Sequence, residues 1–139
     1  MENYMLMLRA DEIDFSSYSP ADYQRILEDF DKWNAAMISE NRLIASANLK
    51  TGQGRTLKGT TVKNGPYSEA IEVITGIFLI RASDYEDAVK IASGCPFLSR
   101  GGSVEVRLVP TLEFENVALE MVERDIKNRA QKAAVDGAK

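Results

Sequence analysis

Two short stretches of this chain gather the residue types that acid–base or anion chemistry requires. The first is Asn64-Gly65-Pro66-Tyr67-Ser68-Glu69, continuing to Glu72. Gly65 supplies a permissive backbone and Pro66 fixes φ, so the stretch reads as a rigid turn delivering polar groups to the end of a strand. A glutamate in a half-apolar pocket has a raised pKa and can act as a general base. Glu69 is the candidate base and the Tyr67 hydroxyl its catalytic companion. The competing reading pairs Glu69 and Glu72 with Arg81 or Arg107 as plain ion pairs. The second stretch is Arg100-Gly101-Gly102, ahead of Ser103–Val109. A guanidinium binds carboxylates and phosphates through two parallel hydrogen bonds, and glycines let a ligand approach the backbone. Asn64, Arg100, Gly101 and Gly102 are thus candidate contacts for a small anionic ligand at the mouth between the two stretches. The same loop equally suits an arginine that holds a helix end.

Other chemistries are excluded by composition. The 139 residues include no histidine and one cysteine, Cys95. The commonest general base and metal ligand are absent, and no intrachain disulfide can form. No carboxylate spacing of the EF-hand type occurs, so neither a metal nor another cofactor is expected. Gly52 and Gly54 flank Gln53 without the lysine and hydroxyl of a phosphate loop. A formal charge of −4 argues against a general nucleic-acid binder. No stretch approaches a membrane span, and the acidic start lacks a basic leader, so a cytoplasmic protein is expected. Charge is uneven: residues 41–63 hold five bases (Arg42, Lys50, Arg55, Lys58, Lys63) and no acid. That run is either a solvated face complementing the acidic first forty residues or an anion-docking patch.

The elements that must position these residues follow from hydrophobic period. Tyr4–Arg9 is apolar on both faces, as a central strand covered on two sides would be. Ser19-Pro20 opens a helix by N-cap and first-turn proline, and Asn41 closes it in a left-handed conformation. Its apolar stripe runs Tyr23, Ile26, Leu27, Phe30, Trp33, Met37, Ile38. Leu43–Leu49 is a strand, Lys50–Gly59 a glycine-rich connection and Thr60–Lys63 a short strand. Gly76–Ala82 is the next clear strand. Ser83 and Glu86 form a capping box for a helix with Tyr85, Ala88, Val89 and Ala92 inward, closed by Gly94 and Pro96. Cys95 and Trp33 read as buried apolar residues. Ser103–Val109 alternates Val104, Val106 and Leu108 against Ser103, Glu105 and Arg107. A helix over roughly 116–133 is expected to dock on the body or on a partner subunit.

The order β-α-β, hairpin, β-α-β specifies a ferredoxin-like split α+β arrangement over residues 1–110, with a helical extension over 111–139. Two helices cover one sheet face, and a second copy of the sheet is the simplest cover for the other. The Asn64–Glu72 stretch and the Arg100–Arg107 stretch resemble the YCII-related family, whose DGPF subgroup is named for an Asp-Gly-Pro-Phe turn. The resemblance implies a dimeric α+β barrel, hence a homodimer. Here Asn64 stands for the aspartate and Tyr67 for the phenylalanine. Some members use a His–Asp pair on small cyclic compounds, which a chain without histidine cannot supply. The DGPF likeness also implies a link to sigma factors and an accessory role. Two readings therefore stand: a small-molecule-binding or regulatory dimer, or a cofactor-independent lyase or isomerase acting through Glu69 and Tyr67 on a small anionic cyclic substrate.

Overall fold

Alternation along the first strand organises the whole molecule. The computed structural model describes residues 1–11, 18–65, 73–112 and 115–137. In β1 (Glu2–Ala10) the side chains of Tyr4, Leu6, Leu8 and Ala10 are buried, while Met5, Met7 and Arg9 are half-buried on the opposite face. β2 (Leu43–Asn48), β5 (Val73–Ala82) and β6 (Ser103–Val109) complete a four-stranded sheet in the order β2-β5-β1-β6. All its pairings are antiparallel. The fold is a ferredoxin-like α+β arrangement, as the order of elements requires.

One sheet face carries α1 (Pro20–Ser39) and α2 (Tyr85–Ala92). Tyr4, Leu6, Leu8, Phe78 and Ile80 meet Trp33, Met37, Ala88 and Ala92 there. Each large apolar side chain so buried contributes about 1.5–3 kcal/mol. The helix ends follow local rules. The Ser19 hydroxyl accepts from the Asp22 N–H at 3.1 Å, and Asn41 adopts φ 55°. The expected stripe of α1 is narrower than its sequence suggests: Tyr23, Leu27 and Ile38 are exposed. A helix lying on a sheet touches it along one line, so the flanks of a wide stripe stay wet.

Capping of α2 is displaced by one residue from Ser83. Asp84 is the N-cap, its carboxylate accepting from the Asp87 N–H at 2.8 Å, and Asp87 in turn accepts from the Ser83 N–H at 2.9 Å. A carboxylate is the stronger acceptor for these orphan donors. Val89 and Tyr85 are not inward as expected; both are exposed, and Ile91 packs against the core instead. Tyr85 lies edge-on to Tyr4, centroids 5.0 Å apart, and its hydroxyl accepts from the Leu108 N–H of β6 at 3.0 Å.

A separate hairpin, β3 (Arg55–Lys58) and β4 (Thr61–Asn64), extends the connection between β2 and β5. Arg55–Lys58 forms a strand although its sequence suggested part of the glycine-rich connection. It has no apolar face for periodicity to reveal, and Gly59 at φ 59° supplies the turn. Leu57 and Val62 face each other across it and are exposed. α3 (Glu115–Gly137) is longer than predicted, and every residue from Glu123 to Gly137 is exposed. Those residues do not pack on the body of their own chain.

The sheet face away from the helices follows from the register. Leu79 opposes Met5 and Ala45, and Ile77 opposes Met7 and Ala47. Beside them Glu105 stands 3.9 Å from Arg9 and 3.8 Å from Arg107. This is an apolar band with a charged margin along β6.

Candidate functional site

Catalytic candidates Tyr67 and Glu69, together with Pro66 and Glu72, lie outside the described residues. Asn64 ends β4 opposite Arg55, and Gly65 follows at φ 90°. The Gly65 N–H donates to the Gly54 carbonyl at 2.8 Å, and the Gly65 carbonyl accepts from the Thr56 hydroxyl at 3.2 Å. These bonds close the hairpin base around an open recess lined by Gly52–Arg55, Asn64 and Gly65.

Arg100 occupies a different setting. It ends a 3-10 turn, Pro96–Arg100, and its guanidinium stands 3.9 Å from the Asp29 carboxylate of α1. Gly101 takes φ 82°, which a side chain would strain. A Cβ on Gly102 would lie 2.9 Å from the Phe97 Cβ and 3.1 Å from the Arg9 carbonyl oxygen. The glycine pair therefore lets the turn fold back and seat Phe97 against β1. Arg107 and Arg81 are engaged locally, with Glu105 at 3.8 Å and the Asn41 carbonyl at 3.4 Å.

The sequence reading did not anticipate the recess between α1 and β2. Along β5 the helix-facing positions run Ala82, Ile80, Phe78, Gly76, and the last offers no side chain. A Cβ there would come within 3.2 Å of the Ala47 carbonyl oxygen. Opposite, β2 presents Ser46 and Asn48 toward the helix side, paired with Phe78 and Gly76. Small and polar side chains in these places cannot fill the space beneath α1. What remains is a cavity of about 330 Å³, within the range of roughly 300–1,000 Å³ usual for small-molecule sites. Leu8, Phe78 and Phe97 line it from the core, and Leu27, Phe30, Asp31 and Asn34 from α1. Phe30 meets Phe97 edge-on at 4.9 Å. Among the described residues, Asp31 is its only charged lining residue.

Asn34 belongs to that lining, and its side-chain oxygen is buried with no hydrogen-bond partner among the described residues. Such an orphaned acceptor costs about 1–3 kcal/mol. Asn34 sits four residues after Phe30 and three before Met37, so a lone amide on an apolar helix stripe was the sequence signal available. Gly76 at the head of an otherwise apolar strand was the second.

Several other charged groups have structural partners. Arg42 pairs with Asp87 at 2.7 Å, joining the start of β2 to α2. The Ser83 backbone N–H, with the Ser83 hydroxyl and Arg42, holds the Asp87 carboxyl below its ordinary range. Burial pushes the Cys95 thiol up. Burial, reinforced by Glu2, pushes the Tyr4 phenol up to about 12. All three shifts lead away from neutrality, the wrong direction for general acid–base work. Among the described residues no group of Cys, Asp and Glu is arranged to hold a metal. Nor is any helix among them long and apolar enough to cross a membrane.

No curated protein matches this sequence. The model of the YCII-related domain matches residues 4–113, from within β1 to beyond β6 and including both core helices. The chain belongs to the YCII-related family.

Proposed function

We propose that this YCII-related chain is a small-molecule-binding homodimer that catalyses no reaction and serves an accessory or regulatory role. The recess between α1 and β2, whose lining includes Asn34 with a buried side-chain oxygen that has no partner among the described residues, carries this reading. A cavity of that size with an uncommitted polar group is what a ligand site requires. The sheet face away from the helices supports the dimer. Met5, Met7, Ile77 and Leu79 form a contiguous apolar band whose cover by a second copy buries all four at once. Asn64, Arg100, Gly101 and Gly102 frame the structure in this proposal rather than touch ligand. Support comes from the Asp29 pair, the Phe97 packing and the hairpin-base hydrogen bonds.

The test is native mass spectrometry of the full chain purified gently from cells. A dimer carrying a stoichiometric small molecule, released on denaturation, is the expected result. Protein that is uniformly ligand-free, and that acquires no ligand from a metabolite extract, overturns the binding reading.

A further inference from the structure

We propose that the α1–β2 recess takes a planar, largely apolar ring compound that carries an N–H donor and no negative charge. The inference deepens the small-molecule reading and rests on it. Three observations define the class. The core-side walls are the aromatic and aliphatic side chains of Leu8, Phe30, Phe78 and Phe97, which accept flat apolar surface. The Asn34 oxygen is an acceptor already desolvated and uncommitted. A side-chain amide turns about its last torsion on a broad potential, so this oxygen can swing toward a donor in the recess at small cost. Last, the only charge among the described lining residues is the Asp31 carboxylate, and none of them is a lysine or arginine. An anion there would meet a like charge and no counter-ion. A neutral or cationic ligand meets neither obstacle.

Four matched probes separate these features: indole, 1-methylindole, tryptamine and indole-3-acetate. Each is titrated into the full-length ¹⁵N-labelled chain while backbone amide shifts are followed. Indole and tryptamine are expected to bind with shifts centred on Asn34, Ser46–Asn48 and Gly76. Loss of the donor in 1-methylindole weakens binding about threefold to tenfold, the usual worth of a neutral hydrogen bond. Indole-3-acetate binds weakest. Asn34→Leu abolishes the difference between indole and 1-methylindole. Ser46→Phe, at an exposed position, fills the recess and removes binding without challenging the fold. If indole-3-acetate binds tightest, or 1-methylindole binds as well as indole, the ligand class is overturned while binding at the recess stands. Absence of shifts from all four at millimolar concentration, or shifts centred elsewhere, overturns the recess as the site.

Discussion

A Cβ placed on Gly94 would lie 2.8 Å from Cδ1 of Trp33, whose indole N–H donates to the Ile91 carbonyl at 3.0 Å. The absent side chain after α2 is what allows the α1 indole to reach the α2 backbone. Gly94→Ala must displace a buried ring from a satisfied hydrogen bond. Overpacking of this kind destabilises by about 1–3 kcal/mol. Urea denaturation should show that loss. Gly137→Ala, where an added Cβ meets nothing, serves as the neutral control.

Stability should fall at both ends of the pH scale for identifiable reasons. The Asp87 carboxyl titrates below its ordinary 3.8 in the folded chain. Its contribution is complete above that value and is lost as pH falls through the folded pKa. The Tyr4 phenol is raised from 10.0 to about 12. Its contribution is complete below pH 10 and is lost between about 10 and 12, because the unfolded chain releases the proton first. Thermal melts across pH should show Asp87→Asn flattening the acid limb and Tyr4→Phe the alkaline limb. Unchanged limbs would assign the pH dependence to other groups.

The apolar band on the sheet face away from the helices leads to a prediction about association. Met7→Glu places a carboxylate in the apolar band opposite Ile77. Light scattering at micromolar concentration should report a dimer for the native chain and a folded monomer for this variant. A monomeric native chain would remove the homodimer from the proposal.

Truncation after Pro110 tests the extension. Residues 123–137 are exposed and bury nothing against the body. The shortened chain should still melt cooperatively. Loss of the cooperative transition would show that the tail completes either the core or the dimer.

Arg100→Ala distinguishes a framing arginine from an anion anchor. Removing a partly exposed ion pair with Asp29 costs about 0–1 kcal/mol of stability. Affinity for indole should not change. Glu69→Gln should likewise leave it unchanged, and a large effect of either would restore the two sequence stretches to the ligand site.

Local chemistry was legible in the letters. Ser19 with Pro20, and Asn41 at positive φ, mark the ends of α1 through bonds spanning a few residues. Alternation in Ser103–Val109 likewise specified a strand and its faces, since successive strand side chains point to opposite sides, whereas Tyr4–Arg9, apolar on both faces, showed a strand without saying which face the helices cover. Trp33 and Cys95 are buried as read. The cap of α2 was less secure, because Ser83 and Asp84 are both good acceptors and only the backbone geometry selects Asp84. Helix periodicity likewise named Val89 and Leu27 as apolar without saying which flank the sheet would reach.

The recess belongs to tertiary structure alone. Asn34, Ser46 and Gly76 lie on three different elements, α1, β2 and β5, the last two separated by the β3–β4 hairpin, and none carries a motif. They converge because β2 pairs with β5 at a register that sets Asn48 opposite Gly76, while α1 crosses above both. A cavity is made by side chains that fail to fill a space. The sequence contains those side chains, but only the folded packing defines the space.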